Sequence, residues 1–391
     1  MKAHLLATAA IVMVVPAAAS DWTIDPWTGE FGSYSYAVGG EARGALFIPD
    51  MPDAPGFQQH WATGAADLNL RLQRDYDSGL SIALKSTFEV ARDKLSFDNY
   101  GGDLVQKVYG VVQTGLGRVE LGMTDGAAYA LSVTGPVVDG ATSLDNANTT
   151  FFLDPTTGAA FTNVFALNSA VESSLNYAKI SYYTPRLFGI QLAVSYTPSE
   201  GKDVIPFLNN GPNVANRQKS IWETAASYSN TFGRTSIGFY AAAAFGHGER
   251  KTPGHAGLTE WGLGSEIDYD LNDEMKLAFG GAWRHTNTYA FNIYDARTTG
   301  GTESAHLSST LTWGAWIFGG EYGRGTAGGD GFAPTVGTHG WQASVGYVFN
   351  ANLQATAGWQ QLRYSRDIGV FYNGAPRIEM NAFFVHLKMH V

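Results

Sequence analysis

The chain has 391 residues, no cysteine, and a formal net charge of -10 at pH 7 from 25 Lys+Arg against 35 Asp+Glu. The absence of thiols excludes a disulfide framework, thiolate chemistry and Cys-ligated metal, and the acidic balance argues against nucleic acid as a partner. Mean hydropathy is -0.11, which passes for a soluble chain but equally fits a membrane barrel, where apolar residues occupy only every second position.

The first segment is a targeting signal. Met1-Lys2 supplies a positive end, Leu5 to Val15 is apolar but too short to span, and Pro16 precedes the small residues Ala17-Ala18-Ala19-Ser20. Residues 1–20 read as a secretory signal peptide cut near Ala19 or Ser20, leaving 21–391 as a single domain. Trp22 and Trp27, near the mature start, are placed at the periplasmic interface.

From there the apolar residues recur with period two. Strands are expected over 33–47, 60–76, 80–92, 103–114 and 118–124. After a long irregular stretch they resume over 175–184, 189–197, 219–230, 234–246, 258–270 and 274–287. The last five cover 302–313, 315–325, 336–349, 352–366 and 376–391. Within 80–92, Leu80, Ile82, Leu84, Phe88 and Val90 share one face and Ser81, Lys85, Thr87 and Glu89 the other. Within 336–349, Trp341, Val345, Tyr347 and Phe349 oppose Gln342, Ser344 and Gly346.

Connections between these sixteen strands alternate short and long, which is the rhythm of tight turns on one side of a bilayer and long loops on the other. The fold class is therefore all-β: a transmembrane antiparallel 16-stranded β-barrel with short periplasmic turns, long external loops and an inward-folded third loop. Closure is obligatory, because unpaired backbone groups in hydrocarbon cost several kcal/mol each. The first strand must therefore pair with the last. The third loop, 125–174, has no strand of its own but carries Phe151, Phe152, Phe161, Val164, Phe165 and Leu167. That apolar content calls for a packing partner, and the barrel interior supplies one.

Two hairpins carry a family resemblance. YGVVQTGLGRVELG over 109–122 and LNYAKISYYTPRLFGIQLAVSYTP over 175–198 resemble hairpins of the Gram-negative general diffusion porins, in their alphaproteobacterial form. The second is the more specific match and corresponds to the hairpin after the family's constriction loop. The resemblance covers the whole mature chain in strand count and loop order, and these hairpins in residue detail. It implies a homotrimer in the outer membrane, among lipid and lipopolysaccharide, that passively conducts ions and small hydrophilic solutes. It also implies a third loop whose acids face basic residues of the wall. Two positions depart from the pattern: Met123 stands where many members have arginine, and Val391 ends the chain where most end in phenylalanine.

Parity places Arg71, Lys85, Lys179, Lys276 and Arg284 toward the lumen, with Arg43 and Arg118 on the polar face of their strands. A charge facing lipid at mid-depth would cost about 2–4 kcal/mol. The candidate constriction acids are Asp125, Asp139, Asp145 and Asp154. Bases set against acids across the neck would create a transverse field and select ions.

Catalysis is not expected. The sequence has no G-x-S-x-G and no H-E-x-x-H. His247, His255 and His339 lie in or beside external loops, and the G-x-G-x-x-G over 323–328 leaves a strand for a loop, with no helix behind it. No cofactor is expected. The acidic loops offer oxygen ligands, but no twelve-residue calcium pattern occurs, so loop calcium has no motif behind it. The expected function is an outer-membrane porin. A sugar- or phosphate-specific channel and a surface adhesin or anchor with a plugged lumen stay open as alternatives.

Overall fold

Strands form wherever the chain alternates cleanly, because a closed ladder satisfies every backbone group within hydrocarbon. The computed structural model describes residues 25–50, 61–91, 105–145, 167–199, 218–248, 257–287, 301–327, 335–366 and 374–391. The first strands are β1 (Trp27–Phe31), β2 (Tyr34–Asp50), β3 (Trp61–Asp75), β4 (Ser81–Ala91), β5 (Val105–Thr114) and β6 (Gly117–Met123). One helical turn, α1 (Ala127–Ala130), opens the long loop. There follow β7 (Ala178–Tyr183), β8 (Ile190–Ser199), β9 (Gln218–Phe232), β10 (Thr235–Gly248), β11 (Thr259–Asp270) and β12 (Met275–Thr286). The ring finishes with β13 (Thr302–Trp313), β14 (Trp316–Ala327), β15 (Val336–Asn350), β16 (Leu353–Arg366) and β17 (Arg377–His390).

Strands β2 to β17 form a closed antiparallel barrel of sixteen, each bonded to the next. The seam joins β17 to β2, with Asn381 opposite Asp50 and His390 opposite Glu41. The expected sixteen boundaries agree with these to within three residues. The extra strand, β1, was not expected. It pairs Trp27 with Val38 and Phe31 with Tyr34. Just beyond, Gly40 exchanges backbone hydrogen bonds of 3.1 and 2.9 Å with Val391, so β1 and β17 lie end to end along one edge of β2. The segment Trp-Thr-Gly-Glu-Phe is too short and too broken by glycine to alternate visibly. Trp27 stacks edge-on against Tyr36 at 5.6 Å, while Trp22 and the signal segment fall outside the described residues.

Connections on one side are as short as two residues, at 115–116, 233–234, 314–315 and 351–352. By the barrel rule this side is periplasmic. The outward wall is apolar: Leu84, Leu121, Leu192, Leu263, Phe279 and Leu307 are all exposed there. Aromatic side chains mark its two edges, Tyr269, Trp313 and Trp316 toward the short turns and Trp222, Trp261 and Trp341 toward the loops. These are the interface girdles that lipid demands.

The interior departs from the expected polar, small-residue lining in one sector. Leu362 and Tyr364 of β16, Ile378, Met380 and Phe384 of β17 and Phe47 of β2 point inward and form an apolar cluster with Leu144 and Leu167 of the long loop. At that height the outward positions of the same strands are Gln361, Arg363, Glu379 and Asn381. The alternation has inverted. Above the hydrocarbon, water lies outside the wall, so apolar side chains gain by turning inward against the loop. Ala45 packs on this inner cluster.

Candidate functional site: the loop-lined lumen

The long loop enters the barrel. Its described parts, 125–145 and 167–177, run along the inner wall from β7 round to β17. Small residues make room for them. Ala225, Ala242 and Ala244 pack under Leu131, Val133 and Val171. At Gly264 an added Cβ would lie 1.8 Å from the Val133 carbonyl oxygen. A Gly264→Ala variant is therefore expected to push the loop off the wall while the strands still close. Single-channel conductance in planar bilayers should then exceed that of the unmodified chain.

Three wall glutamates hold the loop. Glu223 of β9 accepts the backbone N–H of Ala128 at 3.2 Å and that of Ser174 at 2.9 Å. One carboxylate thus ties the outgoing limb to the returning one. Its Oε2 lies so close to Gly126 that a Cβ there would sit 1.8 Å away. Glu260 of β11 accepts from Ser173 Oγ and from Arg284 Nε of β12. Glu321 of β14 accepts Ser143 Oγ at 2.6 Å, the Leu144 N–H at 3.0 Å and Gln342 Nε2 at 2.9 Å, and lies 3.1 Å from His306 Nε2. His306 Nδ1 in turn stands 3.1 Å from the Thr134 carbonyl. Further round, Gln354 donates to the Val138 carbonyl at 2.9 Å, and His386 meets Asp139 at 2.5 Å.

The wall bases fall in three places. Lys179 and Arg284 are buried beneath the loop. Lys179 Nζ donates to the carbonyls of Thr124, Ser174 and Leu175, and Arg284 reaches the Asn168 carbonyl at 3.4 Å. Lys276 stands near the short turns, 3.0 Å from Asp268. Arg43, Arg71, Lys85 and Arg118 lie on β2, β3, β4 and β6. Arg43 pairs with Glu41 at 3.6 Å, and Arg118 with Glu120 at 3.1 Å while lying over the Tyr183 ring at 4.3 Å. Arg71 and Lys85 sit directly opposite each other in the β3–β4 register. Two like charges so placed repel.

Of the loop acids, Asp125 pairs with Lys107 of β5 at 2.7 Å. Asp139 is taken by His386. Asp145 accepts the N–H and Oγ of Ser169, both at 2.6 Å. Asp154 falls outside the described residues, as do Phe151, Phe152, Phe161, Val164 and Phe165. Burial raises the Asp145 carboxyl above its ordinary range. Burial also works to raise Asp139, but the hydrogen bond and charge of His386 outweigh it and hold that carboxyl low.

Glu172 in the returning limb is pushed up to about 7 by burial, against the pull of Arg284. The folded loop favours its neutral form. That contribution is complete below the ordinary glutamate value of about 4.3 and is lost as the pH rises through about 7. Loop anchoring should therefore weaken as the pH rises from about 4.5 to about 7, seen as rising open-channel current noise. Glu172→Gln should make the noise independent of pH over that interval, whereas a pH-flat unmodified channel would contradict the assignment.

Glu223, Glu260, Glu321, Lys107, His306 and His386 did not emerge from the sequence as site residues. A signal existed: each is ionisable and lies on a barrel strand, and a charged group in a membrane-spanning element marks a functional position by default. Among the described residues no group of three His, Asp or Glu side chains stands close enough to hold a metal ion.

Residues 7–367 match the family described as Gram-negative porin. Solved structures share the fold at low identity. The anion-selective porin from Comamonas acidovorans aligns with a TM-score of 0.57 at 13% identity, covering 92% of this chain and 100% of that one. The outer-membrane channel DcaP of Acinetobacter baumannii gives 0.58 at 12%, covering 92% and 98%. A loop L8 deletion mutant of OmpT, an outer-membrane protein of Vibrio cholerae, gives 0.54 at 11%, covering 92% and 100%. No curated protein matches the sequence.

Proposed function

The chain belongs to the Gram-negative porin family, as an outer-membrane diffusion channel, and we propose that its conducting path runs between the inward loop and the wall of β2 to β6. The observation that carries this reading is the one-sidedness of the loop's anchors. Glu223, Glu260, His306, Glu321, Gln354 and His386, on strands from β9 to β17, all bind the loop. The β2–β6 wall meets its described part at Lys107, which pairs with Asp125, and at the loop end of β2, where Phe47 packs with Leu144 and Leu167. Water and solute pass where the loop is not fastened.

On this reading Arg43, Arg71, Lys85 and Arg118 border the path, and Asp125 faces them from the root of the loop. Lys179 and Arg284 act as fasteners. The charge bias follows from the bases left without a close acid, above all Arg71 and Lys85. The mature chain starts after a cleaved signal, works as a homotrimer embedded among outer-membrane lipids, and uses no cofactor. Bilayer recordings of the purified protein test the channel, and current steps that grow in proportion to bulk salt are the expected result. Saturable block of that current by one sugar or phosphate ester would instead mark a solute-specific channel. Cross-linking in detergent tests the trimer.

A further inference from the structure

The lumenal face of β3, β4 and β5 carries a row with more chemistry than ion conduction requires. Arg71 stands opposite Lys85, and Lys85 opposite Tyr109. Neighbouring strands lie about 4.8 Å apart, so two cations and an aromatic ring are rooted within about 10 Å on one face. Among the described residues Tyr109 is the one aromatic side chain on the lumenal face of β4, β5 and β6.

The tyrosine is built into the wall. Gly122 of β6 lies opposite it, with a φ of +135°, and a Cβ there would come within 2.8 Å of Tyr109 Cα. Only glycine fits so close a backbone. At its other end the Tyr109 hydroxyl meets the Thr124 side chain. The residue is half-buried, so a pinned ring shows part of its face to the lumen. One inward step toward the loop, Lys107 pairs with Asp125 at 2.7 Å. The row therefore lies just on the short-turn side of the loop's root.

The two cations are not spent on the wall. Arg71 is exposed and Lys85 half-buried, and among the described residues neither has a carboxylate within ion-pair distance. Glu120, whose charge reaches Lys85, gives its Oε1 to Arg118 Nε at 3.1 Å. Asn69 and Thr87, the next inward pair toward the loop, bond to each other at 2.8 Å. Like charges directly opposite one another repel, and an anion seated between them relieves that repulsion.

We propose that Arg71, Lys85 and Tyr109 form a subsite for aromatic carboxylates, with the carboxylate on the two cations and the ring against Tyr109. The proposal rests on the path along β2 to β6. A guanidinium matches a carboxylate in charge and in fork geometry, and the ammonium adds a second point charge. Two rings in offset contact gain beyond the area they bury. An acid without a ring uses only the cations, and an uncharged ring only the tyrosine. Ions and other small solutes still pass along the same wall.

The test uses the full chain in planar bilayers at constant salt, with benzoate, acetate or benzamide added on one side. Benzoate should interrupt the current and reach half-block at a concentration about tenfold below acetate, since ring contact adds to the shared charge. Benzamide, the uncharged isostere, should need at least about tenfold more than benzoate, since the charge-assisted bonds are lost. Tyr109→Ala should bring benzoate to the acetate value, and Tyr109→Phe should keep the two apart. Equal block by benzoate and acetate in the unmodified chain would overturn the subsite without recourse to any variant. A conducting Tyr109→Ala channel that still separates them would overturn it too. A water-soluble thiol reagent acting on Lys85→Cys reports the path separately. If that reagent lowers the current while benzoate and acetate block alike, the subsite falls and the path stands. If the reagent does nothing, both fall.

Discussion

Replacing Glu223 by alanine should release both limbs of the long loop and raise single-channel conductance more than any other single change in the wall. Its carboxylate takes the N–H groups of Ala128 and Ser174, while Lys179 takes the carbonyls of Thr124, Ser174 and Leu175 from the same two limbs. Anion and cation together close the root of the loop. Removing one partner of a buried charged network costs about 3–5 kcal/mol, because the other charge and the orphaned donors stay buried. A bias of that size exceeds two powers of ten in a loop-in, loop-out equilibrium, at about 1.4 kcal/mol each. The sixteen-stranded ladder is untouched, so the barrel should still assemble and resist denaturation by detergent. Glu223→Gln keeps one acceptor oxygen and should give an intermediate conductance. Bilayer recordings of the three proteins check the order; equal conductance for all three would remove Glu223 from the anchoring role.

The second large effect concerns ion preference. Arg71 and Lys85 face each other across β3 and β4, and among the described residues neither has a carboxylate within ion-pair distance. Reversing both, as Arg71→Glu with Lys85→Glu, should move the channel strongly toward cations. Two unit charges at about 4 Å interact by about 1 kcal/mol even in bulk water, and each reversal changes the local charge by two. The permeability ratio of potassium to chloride is expected to rise by about tenfold or more. A reversal potential in a salt gradient measures it. The companion reversal of Lys179 should act differently: it lies under the loop, so its loss should disturb conductance before selectivity. An unmoved reversal potential in the Arg71/Lys85 variant would place the path elsewhere.

What the sequence made legible follows from what period-two alternation encodes. It states which face a residue is on, and so Arg71, Lys85, Lys179 and Arg284 were all assigned to the lumen side. It does not state what lies against that face. Lys179 and Arg284 are covered by loop segments that touch them through backbone carbonyls, and carbonyls leave no trace in side-chain pattern. The loop's path is set by contacts such as Leu144 with Glu321 and Asp139 with His386, far apart in the chain and invisible to any local window. Strand β1 escaped because five residues with a central glycine carry no alternation. The inward apolar cluster around Met380 and Phe384 escaped for a related reason. The inward/outward alternation of side chains runs on along β17, but the apolar phase switches at Phe383-Phe384, where the outer side passes from lipid to water.

The side of the barrel left open by the loop is testable with single cysteines, since the natural chain has none. Lys85→Cys would place a thiol on the open wall. Ser308→Cys would place one beneath the loop, where Gly135 crosses so closely that an added Cβ would lie 2.6 Å from Ser308 Oγ. Each channel is recorded in a bilayer before and after a charged, water-soluble thiol reagent is added. The path proposed here predicts a stepwise fall in current for Lys85→Cys and none for Ser308→Cys. Block at Ser308→Cys with no change at Lys85→Cys would contradict it.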